Sequence, residues 1–145
     1  MDDAALKSII NANARAKAYA MVGAWNDCAA EIQSQLPMEP VPTVVNEKGI
    51  YWALGDTMAD SIFGKLDALA NATGKISLQK TAQWLVPANE GVDLGEPQVR
   101  AKIDFLATVQ GGFTAQEAAA LKGIAERKPL ITNVECQKAW GKPGA

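Results

Sequence analysis

Residues 93–127, DLGEPQVRAKIDFLATVQGGFTAQEAAALKGIAER, leave the chain few ways to fold. Pro97 suits the first position of a helix, where its missing N–H would have no partner in any case. Val99, Ile103, Leu106 and Val109 then recur at helical spacing and define one apolar face. Gly111 and Gly112 stop that helix. Thr114 stands three residues before Glu117, the spacing of a capping box, with Phe113 in the place of a hydrophobic staple. Ala118, Leu121 and Ile124 or Ala125 supply the next apolar stripe. Two antiparallel helices hinged on a glycine pair are therefore expected at the centre of the fold.

Upstream, Leu6, Ile9, Ile10, Ala14, Ala18 and Met21 predict a first helix ending at Gly23, with Asn11 and Asn13 placed to bend or split it. Asn26 or Asp27 is positioned to cap a second helix carrying Cys28, Ile32 and Leu36. Pro37, Pro40 and Pro42 make the segment LPMEPVPTVV extended, because each fixes its own φ and biases the residue before it away from helix. This segment reads either as a tether for the N-terminal helices or as an exposed strap that docks on a partner. Asn46 caps EKGIYWAL, which Gly55 closes, and Asp56 caps a longer helix carrying Met58, Ile62, Leu66 and Leu69 up to the NATG turn. Gly64 lies inside that helix at a cost of about 0.5–1 kcal/mol relative to alanine, which close approach of a second helix would explain.

Ser77 caps LQKTAQWLV, and the loop PANEGVDLGEP from Pro87 returns to the central pair. Thr132 and Glu135 repeat the capping-box spacing before a final short helix with Cys136, Ala139 and Trp140, and the tail GKPGA is expected to fray. Strand signals are confined to Val44–Val45 and Leu130–Ile131, enough for edge contacts. The expected architecture is all-α: a compact irregular bundle of about six or seven short helices with a proline-rich extended strap. One domain is expected, comprising an N-terminal helical pair (1–36), the strap (37–45) and a main helical core (46–141).

The chemistry is bounded mostly by what is missing. The chain has no histidine, which removes Ser-His-Asp and Cys-His nucleophile systems, the HExxH zinc site and the commonest general base at neutral pH. Gly74, Lys75 and Ser77 fail the Walker spacing, and residues 67–77 lack the oxygen ligands of an EF-hand. Asp93, Glu96 and Asp104 contain a possible carboxylate pair, but Asp93 and Glu96 sit where carboxylates stabilise a helix N-terminus. Asn71-Ala72-Thr73 matches a glycosylation sequon, which carries weight only in a secreted protein. No catalytic, cofactor-binding or metal-binding residue is assigned.

Net charge is −2, which disfavours binding to nucleic acid, where phosphates must be neutralised. Lys122, Arg127, Lys128, Lys138 and Lys142 form a local exception, read as complements to helix C-termini. No apolar run approaches the roughly 20 residues that cross a bilayer, and MDDAALKSII opens acidic where a secretion signal opens basic. No nucleic acid, membrane or small-molecule substrate is expected as a partner. Cys28 and Cys136 match no C-x-x-C spacing and read as buried free thiols, with a disulfide left open for a protein outside a reducing compartment.

Four tryptophans fall in four different segments. Each can bury roughly 150–250 Å², and Trp52 and Trp84 read as core. Trp25 and Trp140, near segment ends, read equally as core or interface. The candidate interface is therefore Pro37, Pro40, Pro42, Trp25 and Trp140.

Trp84-Leu85, the turn Gly91 to Gly95 (GVDLG), the helix after it and Gly112 to Arg127 (GFTAQEAAALKGIAER) occur in an order that resembles small helical proteins encoded in tailed-bacteriophage genomes. Tyr51 to Leu66, YWALGDTMADSIFGKL, is similar in rhythm, so the resemblance spans about residues 46–140. It implies a non-enzymatic structural protein, a minor virion component or a tail, neck or baseplate accessory, in the virion and in the host cytoplasm during assembly. It also implies other virion structural proteins as partners, in a symmetric multi-copy assembly, with no cofactor. The alternatives are an intracellular adaptor or assembly chaperone that does not stay in the particle, and a hydrolase built on Asp and Glu.

Overall fold

The computed structural model of the protein describes residues 1–72, 74–86 and 90–141. Among them the chain is mostly helical. In order, its elements are α1 (Asp3–Ala12), α2 (Ala14–Met21), α3 (Trp25–Gln35), β1 (Glu39–Pro40), β2 (Val44–Val45), α4 (Glu47–Leu54), α5 (Asp56–Ala70), α6 (Ile76–Leu85), β3 (Val92–Asp93), α7 (Pro97–Leu106), α8 (Ala115–Gly123), β4 (Glu126–Arg127) and α9 (Asn133–Trp140). Nine helices among the described residues exceed the six or seven expected. The chain divides into two compact units where the sequence suggested one domain: Met1–Glu39 with Lys128–Ala145, and Pro40–Arg127.

The first unit gathers α1, α2, α3 and α9. Asp2 Oδ1 accepts the Ala5 N–H at 2.7 Å and starts α1. The split anticipated at Asn13 is complete: its backbone is extended and its Oδ1 accepts the Ala16 N–H at 3.0 Å, so one predicted helix becomes two. Asn26 and Asp27 do not cap α3. That helix begins earlier, at Trp25, leaving both in its first turn. The final helix, expected in the main core, packs on α1, α2 and α3, and the second compact unit ends at Arg127. Leu6, Ile10, Ile32, Ile131 and Trp140 form the apolar centre together with both cysteines. Leu130–Ile131 forms no strand; Ile131 packs inward and Leu130 faces out.

In the second unit, Asn46 Oδ1 accepts the Gly49 N–H at 2.8 Å and caps α4 as expected. Gly55, at φ 85°, ends α4 and immediately precedes α5, so Asp56 is the first residue of α5 and not its cap. Likewise α6 starts at Ile76, one residue before Ser77, without a side-chain cap. An added Cβ on Gly64 meets nothing within 4 Å, so the close helix approach expected there is absent. Pro97 does open α7, which ends at Leu106, short of Val109. Phe113 N–H reaches back to the Leu106 carbonyl at 2.9 Å, and a Cβ on Gly112 would overlap that same oxygen. The box at α8 is complete: Thr114 Oγ1 accepts the Glu117 N–H at 3.1 Å while Glu117 Oε1 accepts the Thr114 N–H at 2.8 Å. Ile62, Leu66, Leu94, Ile103, Leu106 and Phe113 fill the centre.

The GVDLG turn has a specific task in this unit. β2 runs antiparallel to β3, with Val44 opposite Asp93 and Val45 opposite Val92. Asp93 Oδ1 accepts both the Thr43 N–H at 2.8 Å and the Gly95 N–H at 2.9 Å, and Leu94 N–H donates to the Thr43 carbonyl at 3.0 Å. Val41 N–H donates to the Ala125 carbonyl at 2.7 Å. Residues 41–45 approach so closely that a Cβ on Gly95 would overlap the Val41 carbonyl. Thr73 of the sequon, residues 87–89 of the following loop, Lys142 and the rest of the GKPGA tail lie outside the described residues.

Candidate functional site

Three polar constructions organise the second unit. Ser61 and Lys65, one turn apart on α5, both reach Glu117 on α8: Ser61 Oγ donates to Oε2 at 2.6 Å and Lys65 Nζ forms an ion pair with Oε1. Burial works to raise the Glu117 pKa, but Lys65, Ser61 and the Thr114 N–H together outweigh it and hold the carboxyl at about 2. Arg100 is the second hub. Its Nη1 donates to the carbonyls of Leu94 and Lys122, each at 3.1 Å, and its Nη2 pairs with Glu126 at 2.5 Å. The third is on α4 and α5, where Tyr51 donates to Asp60 Oδ1 at 2.6 Å and stacks on Phe63 at 5.5 Å between centroids. The Asp60 bond leads in raising the Tyr51 hydroxyl to about 12.

The three carboxylates singled out in the sequence have separate occupations. Asp93 is in β3 and accepts from backbone, which corrects its assignment to a helix N-terminus; the Thr43 N–H is the main cause of its lowered pKa. Asp104 pairs with Lys122 at 2.7 Å. Glu96 occupies the N-cap position of α7 without a side-chain capping bond. The basic C-terminal residues are likewise dispersed: Lys128 donates to the Ser34 carbonyl, Lys138 lies 3.8 Å from Asp3, and Arg127 bonds the carbonyls of Ile124 and Glu126.

Of the candidate interface residues, Pro37, Pro40 and Pro42 are exposed and Trp25 is half-buried against the first unit's core. Trp140 is only 3% exposed, with Lys7 Nζ 5.5 Å from its ring centroid, so it belongs to the core. The reverse correction applies to the two tryptophans read as core. Trp52 is 76% exposed and Trp84 67%. On α4 the inward residue is Ile50, and a side chain two positions further points about 200° around the helix. On α6 the stripe Leu78, Ala82 and Leu85 faces inward and leaves Trp84 outside it.

The two indoles have different surroundings. Lys48 Nζ stands 4.5 Å from the Trp52 ring centroid, one turn earlier on α4, a cation–π contact on an exposed face. Trp84 borders a shallow groove of about 200 Å³, lined also by Leu85, Glu96, Gln98, Val99 and Lys102. That volume falls below the roughly 300–1,000 Å³ of a small-molecule pocket. Inside the core, the space lined by Ile50, Ile62 and Phe113 is about 10 Å³ and its walls are apolar side chains.

The elements define a mostly helical protein of two units whose second unit presents two large indoles to solvent. Comparison with protein families, with curated proteins and with solved structures finds no match to the chain. No helix among the described residues is long and apolar enough to cross a membrane.

Proposed function

We infer that this chain is a non-enzymatic structural protein acting through protein–protein contacts, a minor virion component or a tail, neck or baseplate accessory of a tailed bacteriophage. The observation that carries the contact role is the presentation of Trp52 and Trp84 by helices whose apolar stripes are already used for the core. Tryptophan is enriched at the centre of interfaces and among the residues whose truncation weakens them most. Segment 37–45 supplies a second element in this reading. We read it as an extended strap: Pro37, Pro40 and Pro42 are exposed, while Val41 N–H donates to the Ala125 carbonyl and Thr43 N–H to Asp93, both within the second unit. The helices are then compact irregular bundles serving as rigid supports. Assignment to a virion, with other virion structural proteins as partners in a symmetric multi-copy assembly, rests on the sequence resemblance over about residues 46–140.

Mass spectrometry of gradient-purified particles tests the assignment. The protein is expected among the particle proteins. The double variant W52A/W84A is expected to keep its helical content while its incorporation falls by at least about tenfold, since each exposed indole acts as an interface anchor. Absence of the protein from particles would favour the adaptor or chaperone reading, and undiminished incorporation of the variant would remove the indoles from the contact.

A further inference from the structure

The first unit is built from two pieces of chain, Met1–Glu39 and Lys128–Ala145, with the whole of residues 40–127 between them. Each piece carries one of the protein's two cysteines. Cys28 on α3 and Cys136 on α9 are both fully buried in the same apolar cluster, and their helices pack together. Two cysteines drawn from distant parts of the sequence thus share one buried cluster on two helices in contact, the placement from which a cross-link between them can form.

We propose that Cys28 and Cys136 form a thiol–disulfide site, closed within the folded first unit by exchange with a low-molecular-weight disulfide. In the first step the thiolate of one cysteine attacks a sulfur of the oxidant RSSR, breaking its S–S bond and releasing RS⁻, which takes up a proton. The other cysteine, as thiolate, then attacks the protein sulfur of the mixed disulfide and expels the second RS⁻. Overall, two thiols and RSSR give the Cys28–Cys136 bond and two RSH. The two electrons reduce the oxidant and the two protons end on the released thiols.

Burial sets the kinetics of this site. It is the leading cause raising both thiols, with Cys136 pushed up to about 12, so few thiolates exist in the closed unit and exchange runs through an opened form in which α9 has parted from α3. Once made, the bond is shielded from reductants by the same packing. The cross-link encloses residues 29–135, including all of the second unit, and joins the two pieces of the first unit covalently. Such a long enclosed loop is the case in which a cross-link restricts the unfolded chain most.

The test uses the full chain, incubated under native conditions with oxidised glutathione, then quenched in acid and alkylated after unfolding. The expected product has lost two hydrogens in intact mass and both alkylation sites, and its digest contains the Cys28–Cys136 peptide pair. Its formation should accelerate in urea below the unfolding transition, and the first unit's thermal midpoint should rise by on the order of 10 °C, reverting with dithiothreitol. C28A and C136A, each removing one partner, should stop at a mixed disulfide. The proposal is overturned if both thiols of the native chain still alkylate after prolonged oxidation while the urea-unfolded chain cross-links. A persistent glutathione adduct, a cross-linked dimer, or a lowered midpoint in the oxidised form would overturn it too.

Discussion

Replacing Glu117 with glutamine should remove a defined part of the second unit's stability, and only above a defined pH. The carboxyl drops from an ordinary 4.5 to about 2 in the folded protein, a difference worth roughly 3 kcal/mol at about 1.4 kcal/mol per pKa unit. Because the folded pKa is depressed, this stability is complete above pH 4.5 and is lost as pH falls through about 2. Glutamine keeps the size of the side chain but loses the ion pair with Lys65 and accepts more weakly from Ser61 and Thr114. Urea unfolding followed by circular dichroism, with hydrogen exchange of the α5 and α8 amides assigning the transition, should place E117Q about 3 kcal/mol below wild type at pH 7. The gap should close toward zero near pH 2, where the native glutamic acid is itself being protonated. Equal pH dependence of the two proteins between pH 7 and 2 would refute the reasoning, because Glu117 would then be no more stabilised as an anion in the fold than in the open chain.

Gly95→Ala should cost about 2–3 kcal/mol, since its Cβ meets the Val41 backbone and not a side chain that could rotate away. Gly64→Ala, with open space around it in a helix interior, should instead stabilise by about 0.5–1 kcal/mol, and the same urea curves read both. Trp140 Nε1 is buried with no acceptor among the described residues, so Trp140→Phe should change stability by less than about 1 kcal/mol while Trp140→Ala loses about 3–5 kcal/mol. An alkaline ultraviolet titration should find one of the two tyrosines ionising at about 12. Asp60→Asn should return it toward 10, and stability tied to this bond should be lost between pH 10 and 12 in the wild type alone.

The helices were legible wherever a short-range signal fixed them. Asn46 and Thr114 with Glu117 each bond a backbone N–H three residues away, Pro97 fixes its own φ at the first helical position, and the structure has all of them in place. Asn26, Asp56 and Ser77 misled for a related reason: a residue able to cap is equally comfortable inside a first turn, and Gly55 or the Ala24 backbone started those helices sooner. The two-unit division was not legible. It depends on α9 pairing with helices more than a hundred residues earlier, and nothing in its eight residues says which apolar face it will meet. Asp93 was misplaced because its partner Thr43 lies fifty residues away. The exposed tryptophans, by contrast, were readable. Leu78, Ala82 and Leu85 already complete a helical stripe that excludes Trp84, and this periodicity decides its burial more than its size does.

Hydroxyl-radical footprinting of the protein free and within purified particles bears most directly on the claim that exposed indoles grip neighbouring subunits. Trp52 and Trp84 should oxidise readily in the free chain and become protected on assembly, whereas Trp140, buried throughout, should stay unreactive in both states. Equal oxidation of Trp52 and Trp84 in the free and assembled protein would contradict the account.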